Sequence, residues 1–409
     1  MKKLVIGLLG MLALPAAARS VVFSPQVKTL QVVVNQDWLS LPVMRLGTDD
    51  VLNIGFDELS HGYHRYIYRL EHCEADWSTS EDIFESDWME GFNGSPIEDY
   101  ENSLNTTVLY THYRLQIPND RCRLKMSGNY RLHVYDEDDE ETEVLCAEFY
   151  VVEPLMSVGV SVTTNTDVDF NVAHQQVSMT VDYRNLSVTD EENQIRTVVM
   201  QNGREDNSKV NVRPSYATAT GLKWEHQRQL IFDAGNEYHK FEVLDVSHPT
   251  MGIDRIEWDG RHYQAYPFAN APRRNYIYDQ DANGAFYIRN SDNIENDRTC
   301  DYVYVNYKLL PAEQYDADVI VDGNWTTGHS DTYTMYYDEG DRSYNASILQ
   351  KQGYYSYQLL LRDADGQTHV MPEEGSFFET ENRYQALVYY KGVTGRTWRL
   401  VAYQQIVLR

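Results

Sequence analysis

The chain has 409 residues, a formal net charge of −27 at pH 7 and 32 tyrosines. At roughly 100–200 residues per domain, this length predicts two to four domains. A protein this acidic is a poor candidate for binding nucleic acid or an anionic lipid surface, so we expect neither as a partner.

The first 18 residues have the pattern of a secretory signal peptide. Lys2 and Lys3 precede a short apolar run, LVIGLLGMLAL, and Ala16 to Ala18 offer a small-residue cleavage site. The run is too short to span a bilayer, and no later stretch approaches the ~18 apolar residues of a membrane helix. We therefore predict a signal peptide over 1–18, export, and no direct membrane insertion. A retained N-terminal anchor is the alternative.

Apolar and polar residues alternate along most of the remaining chain. Clear examples are 130–135, 144–151, 177–183, 303–309 and 355–361. Alternation with a period of two residues is typical of antiparallel strands that bury one face and expose the other. Tyrosine suits such strands, because its ring can pack against the sheet while its hydroxyl reaches water. The sequence therefore predicts an all-β fold of tandem immunoglobulin-like antiparallel β-sandwich domains, about three in line.

Two polar stretches indicate where one domain ends and the next begins. Glu153-Pro154 follows a predicted strand that ends at Val152, and the segment from Ser291 leads through polar residues into a new strand. The predicted domains are an N-terminal sandwich with a long aromatic loop, a second sandwich, and a third immunoglobulin-like sandwich of the E-set or glycogen-binding type. Their boundaries are 19–153, 154–294 and 295–409.

The chain has four cysteines, Cys73, Cys122, Cys146 and Cys300. They show neither CxxC spacing nor a nearby pair of histidines, so we predict no zinc site. In an exported protein they allow three full disulfide pairings, and unpaired buried thiols are an equal alternative.

One short segment, DQDANG at 279–284, matches the first half of a calcium-binding EF-hand loop. Such a loop needs a bidentate Glu at its twelfth position, which is Asn290 in this chain. We therefore interpret Asn283-Gly284 as a hairpin turn and predict no metal.

Motifs for catalysis are missing from the sequence. It contains no GxSxG elbow, HExxH, phosphate-binding glycine loop or dinucleotide fingerprint. His72 and Cys73 are adjacent on a predicted strand and therefore point to opposite faces. We predict a protein that is not an enzyme and needs no cofactor. A glycoside hydrolase is the remaining enzymatic alternative, although nothing singles out one pair of carboxylates.

The third predicted domain loosely resembles glycogen-binding immunoglobulin-like modules. The matching residues are Gly323, Asn324, Trp325, Gly353, Tyr355 and Tyr357. This resemblance implies an alternative function, an exported carbohydrate-binding protein, although we interpret Trp325 as a residue that packs in the core or in a loop.

The densest stretch of specific residues runs from Gly62 to Leu132. It predicts two short strands around an aromatic loop of about 30 residues, and loops of that length are usually functional or disordered. This one is too aromatic for disorder. A packed cap on the sandwich and a partner-binding surface both remain open from its residues alone.

Several motifs together resemble one family, the plug protein of the type IX secretion system of Bacteroidota. The strongest lie in the N-terminal domain, and others follow in the second and third domains. They are YRLEHCEADW at 68–77, EGFN at 90–93, YTHY at 110–113, IPN at 117–119, SGNY at 127–130, QNGR at 201–204, AGNEY at 234–238 and LQKQGYY at 349–355.

The resemblance implies a periplasmic protein at the inner face of the outer membrane, monomeric on its own. Its partner would be the giant outer-membrane β-barrel translocon of that system, whose periplasmic opening it would seal when no cargo is engaged. An aqueous barrel lumen needs such a stopper. Within the long loop we expect some residues to hold its shape, namely Trp77, Trp88, Tyr100 and Asn105. We expect others to contact the partner, namely Phe92, Asn93, Pro96 and Glu98.

Overall fold

The computed structural model describes residues 20–408 except 140, 141, 185 and 329. The predicted signal peptide therefore lies outside the described residues. Across the part that is described, 31 strands and only very short helices confirm the predicted all-β fold of antiparallel sheets. Within the same residues, no helix has the length and apolar character needed to cross a membrane.

The first sandwich is built from residues up to Val152. Alternation explains its strands: in GNYRLHVYD, Tyr130, Leu132 and Val134 are fully buried in the core while the residues between them point outward. One sheet has the spatial order β1 (Val21–Val22), β12 (Glu143–Val152), β11 (Gly128–Asp136), β5 (Tyr66–Cys73), β7 (Ser95–Pro96), with β3 (Val43–Arg45) parallel to β12. The other has the order β2 (Val27–Val34), β4 (Leu52–Glu58), β9 (Thr111–Ile117), β8 (Asp99–Asn102), and a separate ribbon pairs β6 (Met89–Gly91) with β10 (Cys122–Leu124). Side chains of both sheets form one core.

A second pair of sheets encloses another core, which contains Trp224 and Phe232. One sheet has the order β13 (Ser157–Thr163), β14 (His174–Asp182), β18 (Gly221–Trp224), β17 (Tyr216–Ala217), with β19 (Ile231–Asp233) also on β14. The facing sheet has the order β16 (Arg204–Val210), β15 (Ile195–Gln201), β30 (Asn382–Tyr390), β31 (Arg399–Leu408).

The third body is a ten-stranded sheet that closes around a core containing Phe241, Tyr307 and Trp325. Its main order is β20 (His239–Val243), β28 (Gly353–Arg362), β25 (Asp318–Asp322), β26 (Thr334–Asp338), β27 (Ser343–Lys351), β24 (Tyr302–Leu309), β22 (Tyr263–Pro267), β21 (Ile253–Trp258). β23 (Phe286–Ile288) and β29 (Thr368–Val370) also pair with β28. The helical turns are α1 (Glu85–Trp88), α2 (Glu191–Gln194), α3 (Asn296–Thr299) and the 3-10 turns Arg228–Leu230 and Ser330–Tyr333.

Strand pairing corrects the predicted division between residues 294 and 295. β30 pairs with β15, for example Leu387 with Val198, so the last strands of the chain belong to the second pair of sheets. β24 pairs with β22, so strands on both sides of the predicted boundary share one sheet. The third body is therefore inserted within the second. A polar segment suggested a linker, but local composition carries no information about which distant strands pair. The count of immunoglobulin-like domains stays a prediction.

A buried group of charges joins the first sandwich to the third body. Asp57 on β4 accepts hydrogen bonds from the Lys351 ammonium at 2.7 Å and the Tyr302 hydroxyl at 2.6 Å, both from the third body. Its second oxygen lies 2.6 Å from Nδ1 of His112. Burial works to raise the pKa of Asp57, but the charge of Lys351 and the contact with His112 outweigh it and lower that pKa. The Lys351 ammonium also lies 4.1 Å from the ring centre of Tyr110.

Candidate partner-binding surface

The long aromatic loop is more ordered than the sequence suggested, because three short strands fasten it to the first sandwich. β6 pairs with β10, β7 adds to the edge of β5, and β8 adds to the edge of β9. The loop is therefore an arrangement of edge strands joined by turns.

Gly91 brings the loop against a neighbouring turn. Its φ is +119°, and a Cβ at this position would lie 1.9 Å from the Arg121 carbonyl oxygen. The same carbonyl accepts the Phe92 N–H at 2.9 Å. Only glycine permits this approach, which sets the direction in which the Phe92 side chain leaves the loop.

Asn93, predicted as a docking residue, binds the protein's own backbone. Its Oδ1 accepts the Leu70 N–H at 2.7 Å, and its Nδ2 donates to the Leu70 carbonyl at 2.9 Å and to Glu85 at 3.1 Å. The side-chain amide of Asn93 thus makes the two hydrogen bonds that the backbone of a neighbouring strand would otherwise make to Leu70 on β5. Asn93 holds the loop in position, which local sequence did not reveal because Leu70 is 23 residues away.

Replacing Asn93 with alanine should lower the free energy of unfolding by about 1–3 kcal/mol, because the Leu70 amide loses its partners. Urea denaturation measures this loss. Glu90→Ala, an exposed position on the same loop, is the control and should change stability by less than about 0.5 kcal/mol. Equal effects of the two substitutions would contradict the assigned role of Asn93.

Phe92 is exposed on the loop, and two further exposed apolar residues, Phe84 and Val393, lie on segments that hydrogen bonds connect to the Phe92 segment. The exposed fractions are 78% for Phe92, 74% for Phe84 and 84% for Val393. Asn93 ties the Phe92 segment to α1, and Arg396 donates to Asp87 at 2.7 Å, which ties α1 to the turn before β31. We call residues 82–94 and 391–397 together the loop tip. Val393 was missed because its position depends on a contact over 309 residues of sequence.

Pro96 and Glu98 face a different part of the surface. Pro96 is half-buried in β7, and exposed Glu98 accepts a hydrogen bond from the Arg121 guanidinium at 2.9 Å. Both line a cavity of about 660 Å³ between the first sandwich and the third body, whose wall includes Tyr287. These two predicted docking residues therefore line the cavity and are not part of the loop tip.

Two of the residues expected to hold the loop's shape are buried tryptophans. Trp88 packs in the first core with its ring centre 5.8 Å from that of Tyr130. Trp77 lies 5.2 Å from the ring of Tyr150, with the Arg131 guanidinium 5.7 Å from its own ring centre.

The other two residues of this set lie nearer the surface. Tyr100 is 40% exposed and stacks on Tyr63 with a ring separation of 4.2 Å. Asn105 is exposed and adopts a left-handed φ of +59°, which asparagine tolerates better than most residues. It begins the turn that carries Thr107 to the Asp301 carboxylate of the third body, at 2.7 Å.

A second junction joins the first sandwich to the sheet of β15 and β30. It buries Trp77, Tyr150, Leu387 and Trp398. Beside it, Glu205 accepts a hydrogen bond from the Tyr150 hydroxyl at 2.6 Å. Burial, helped by the charge of nearby Glu148, raises the pKa of Glu205 to about 8.

Glu205→Gln should therefore stabilise the protein at pH 8 and have little effect at pH 4. A carboxyl whose folded pKa is raised contributes its full stability below its unfolded pKa, and loses it as the pH rises through the folded value. Glutamine stays neutral and keeps an acceptor for the tyrosine. We expect a gain of roughly 2–4 °C in Tm at pH 8, measured by thermal unfolding. Exposed Glu192 supplies the control, Glu192→Gln, and an equal gain at both pH values would refute the prediction.

The aromatic residues on which the carbohydrate-binding alternative was based are buried. Trp325 is 8% exposed and donates its indole N–H to the Ser356 carbonyl at 3.0 Å. Tyr355 and Tyr357 are each 2% exposed. These rings pack in the third core and offer no face on which a sugar stacks.

Contacts of His72 with Ser80 at 2.8 Å and with the Ser127 carbonyl at 3.2 Å are those of a buried structural histidine. All four cysteines are buried and unpaired. Taken together, the fold and the loop define a β-sheet protein of several bodies in which a loop held by short edge strands exposes two phenylalanines, Phe84 and Phe92.

Comparison with known proteins identifies the family. The profile described as type 9 secretion system plug protein 1st domain matches residues 27–153, which include the whole aromatic loop. The chain belongs to the type IX secretion system plug protein family, as its motifs predicted. Members of this family are structural or secretion components, and the family is not a known enzyme family.

A solved structure extends the likeness to nearly the full chain. It is a hypothetical protein from Parabacteroides merdae, 35% identical, with a TM-score of 0.92, covering 95% of this chain and 99% of its own. An alkylpurine DNA glycosylase from Pseudomonas fluorescens is 13% identical over 31% of this chain and 30% of its own, and its TM-score of 0.15 supports no conclusion. No curated protein matches the chain.

Proposed function

We propose that this protein is a non-enzymatic plug that docks on the periplasmic opening of the outer-membrane β-barrel translocon of the type IX secretion system. There it seals the pore when no cargo is engaged. The observation that carries the proposal is the family match over 27–153. We place the protein on the periplasmic side of the outer membrane, and expect it to be monomeric when released.

The loop tip is the part of the surface that we assign to docking. Phe84, Phe92 and Val393 expose apolar side chains on three segments, which the Asn93 and Arg396 contacts hold in fixed relative positions. Because this surface is held rigid before binding, it loses little conformational entropy when a partner docks, and more of the contact energy appears as affinity. Exposed aromatic anchors of this kind are the usual centres of protein interfaces.

Pull-down from gently solubilised membranes tests the docking. Tagged wild-type protein should recover a giant outer-membrane β-barrel protein. Phe92→Ala should weaken the recovery about tenfold or more, because burying such a side chain contributes about 1.5–3 kcal/mol and 1.4 kcal/mol is a factor of ten. Its Tm should stay unchanged. Phe268→Ala, at another phenylalanine with 62% exposure, is the matched control and should bind normally.

Deletion of the gene tests the sealing. Cells without the protein should become permeable to large antibiotics that the outer membrane normally excludes, and the wild-type gene should restore the barrier. Recovery of the tagged protein only as a soluble monomer, or equal binding by Phe92→Ala and Phe268→Ala, would contradict the docking surface assigned above.

A further inference from the structure

Three side chains with metal-binding atoms meet on the outer face of the first sandwich. His133 on β11 is the direct register partner of Cys146 on β12, and Glu143 lies three residues before that cysteine. The ligand atoms of all three lie within 4.8 Å of one another. Leu132 and Val134 on either side of His133 point into the core, so the three side chains share the opposite face of the sheet.

A β-bulge creates this arrangement. In regular pairing the side chain of Glu143 would point inward and that of Val144 outward. The register shifts between Val134 and Tyr135, so that Tyr135 pairs with Glu143 and Val144 is the additional residue. Val144 is accordingly buried in the core at 5% exposure. Bulges often redirect a side chain in this way next to functional sites.

Glu71 on the neighbouring strand β5 orients the histidine. One of its carboxylate oxygens lies 3.3 Å from Nε2 of His133, while the other accepts the Thr79 hydroxyl at 2.7 Å. Nδ1 of His133 then faces the Glu143 carboxylate at 2.6 Å. A metal-binding histidine characteristically gives its second N–H to a carboxylate, which fixes the ring and its tautomer.

We propose that His133, Glu143 and Cys146 bind a zinc ion, with Glu71 as the residue that positions His133. A nitrogen, an oxygen and a sulfur donor suit zinc, and three protein ligands leave a fourth position for water or another ligand. On binding, the ion replaces the proton at Nδ1 of His133 and the thiol proton of Cys146, and both protons pass to solvent.

Space and charge at the site fit an entering cation. The side chains of His133 and Glu143 are 20% and 28% exposed, so the site opens to solvent. Zinc bonds of ~2.0–2.3 Å in a tetrahedron need ligand separations of ~3.3–3.6 Å. The partly exposed Glu143 oxygen, 2.6 Å from Nδ1 of His133, reaches the lower end of that range by withdrawing less than ~1 Å from the ring. Two arginines lie on strands beside the site: Arg69 is the register partner of His133 on β5, and Arg131 is 2.9 Å from Glu148 and 3.9 Å from Glu71.

The sequence predicted no zinc site because local spacing was the only signal available. The donors come from separate strands, and a bulge sets their common face. Zinc at this position would join β11 to β12 beside their hairpin and would raise Tm by linkage to the folded state.

The test uses the full chain, reduced and stripped of metal, titrated with zinc chloride against a chelating indicator and with cobalt chloride by absorption. Wild-type protein should bind one equivalent of zinc, and its cobalt form should show a sulfur-to-cobalt charge-transfer band in the near ultraviolet. Cys146→Ser should lose the band and weaken zinc binding at least about tenfold. Cys122→Ala, which also removes one buried thiol, should keep both. Glu71→Gln should weaken binding about 10–100-fold while the cobalt–sulfur band persists.

Failure to bind one equivalent of zinc at micromolar concentration would overturn the proposal, as would equal binding by Cys146→Ser and Cys122→Ala. Because Cys146 is buried, Glu143→Gln provides a variant on a side chain with more exposure. It should fold like wild type and bind zinc at least about tenfold more weakly, since a carboxylate ligand is lost. Unchanged affinity in that folded variant would also refute the site.

Discussion

Replacing Lys351 with methionine should lower the free energy of unfolding by about 3–5 kcal/mol. The two charged side chains of the Lys351–Asp57 pair are 1% and 0% exposed, so removing the ammonium leaves the Asp57 carboxylate buried with one charged partner fewer. The Asp297 carbonyl also loses the hydrogen bond that it accepts from Lys351 at 2.6 Å. Urea denaturation followed by tryptophan fluorescence measures the change.

Two variants separate this effect from the loss of a lysine in general. Lys308→Met breaks a half-exposed ion pair with Asp341 and should cost no more than about 1 kcal/mol. The double variant Asp57→Asn with Lys351→Met should recover much of the lost stability, because no uncompensated charge stays buried. Equal losses for Lys351→Met and Lys308→Met would show that the buried pair matters no more to the free energy of unfolding than a half-exposed pair does.

The cost of Lys351→Met should also depend on pH in a defined direction. The folded pKa of Asp57 lies below its ordinary value of 3.8, so its contribution is present above the unfolded pKa and is lost as the pH falls through the folded one. In acid the protonated Asp57 no longer needs Lys351. The difference between wild type and Lys351→Met should therefore be largest near pH 7 and shrink below about pH 4.

Trp88→Ala should be the most damaging single change in the aromatic loop, with a loss of about 3–5 kcal/mol. The indole is 6% exposed, packs 5.8 Å from the Tyr130 ring, and lies at the end of α1. Removing it leaves a cavity under the helical turn that directly follows Phe84. Backbone amides 85–88 should then exchange faster with deuterium, which shows whether the loop tip depends on this anchor.

Phe84→Ala, at the residue immediately before the same helical turn, is the matched control. The Phe84 side chain is 74% exposed, so its removal should change stability by no more than about 0.5 kcal/mol. A small loss for Trp88→Ala, similar to that of Phe84→Ala, would show that the edge strands alone hold the loop.

The sequence predicted local features of the fold well and pairings between distant strands poorly. Alternation along Tyr130, Leu132 and Val134 revealed a half-buried strand, because a period of two follows directly from strand geometry. Nothing near Leu387 indicates that it pairs with Val198, since that choice depends on which surfaces remain free after the rest has folded. The polar segment around residue 294 was therefore misinterpreted as a boundary between domains.

For the candidate site, residue type predicted burial better than it predicted contacts. Large apolar rings such as Trp77 and Trp88 are expected inside, and both are buried. Asn93 looked like a surface residue because its partner, the Leu70 backbone, lies on another strand. Val393 was missed for the same reason, since its place in the loop tip depends on the contact between Arg396 and Asp87.

The insertion of the third body within the second has a consequence for the order of assembly during synthesis. The first sandwich is complete once residue 152 has left the ribosome, and the third body has its last strand by residue 370. The second body must wait for residues 382–408, which supply half of one of its sheets. Domains generally fold as units in the order in which they emerge. The second body therefore closes last, and a chain shortened at its carboxyl end would leave that body incomplete after the other two had formed.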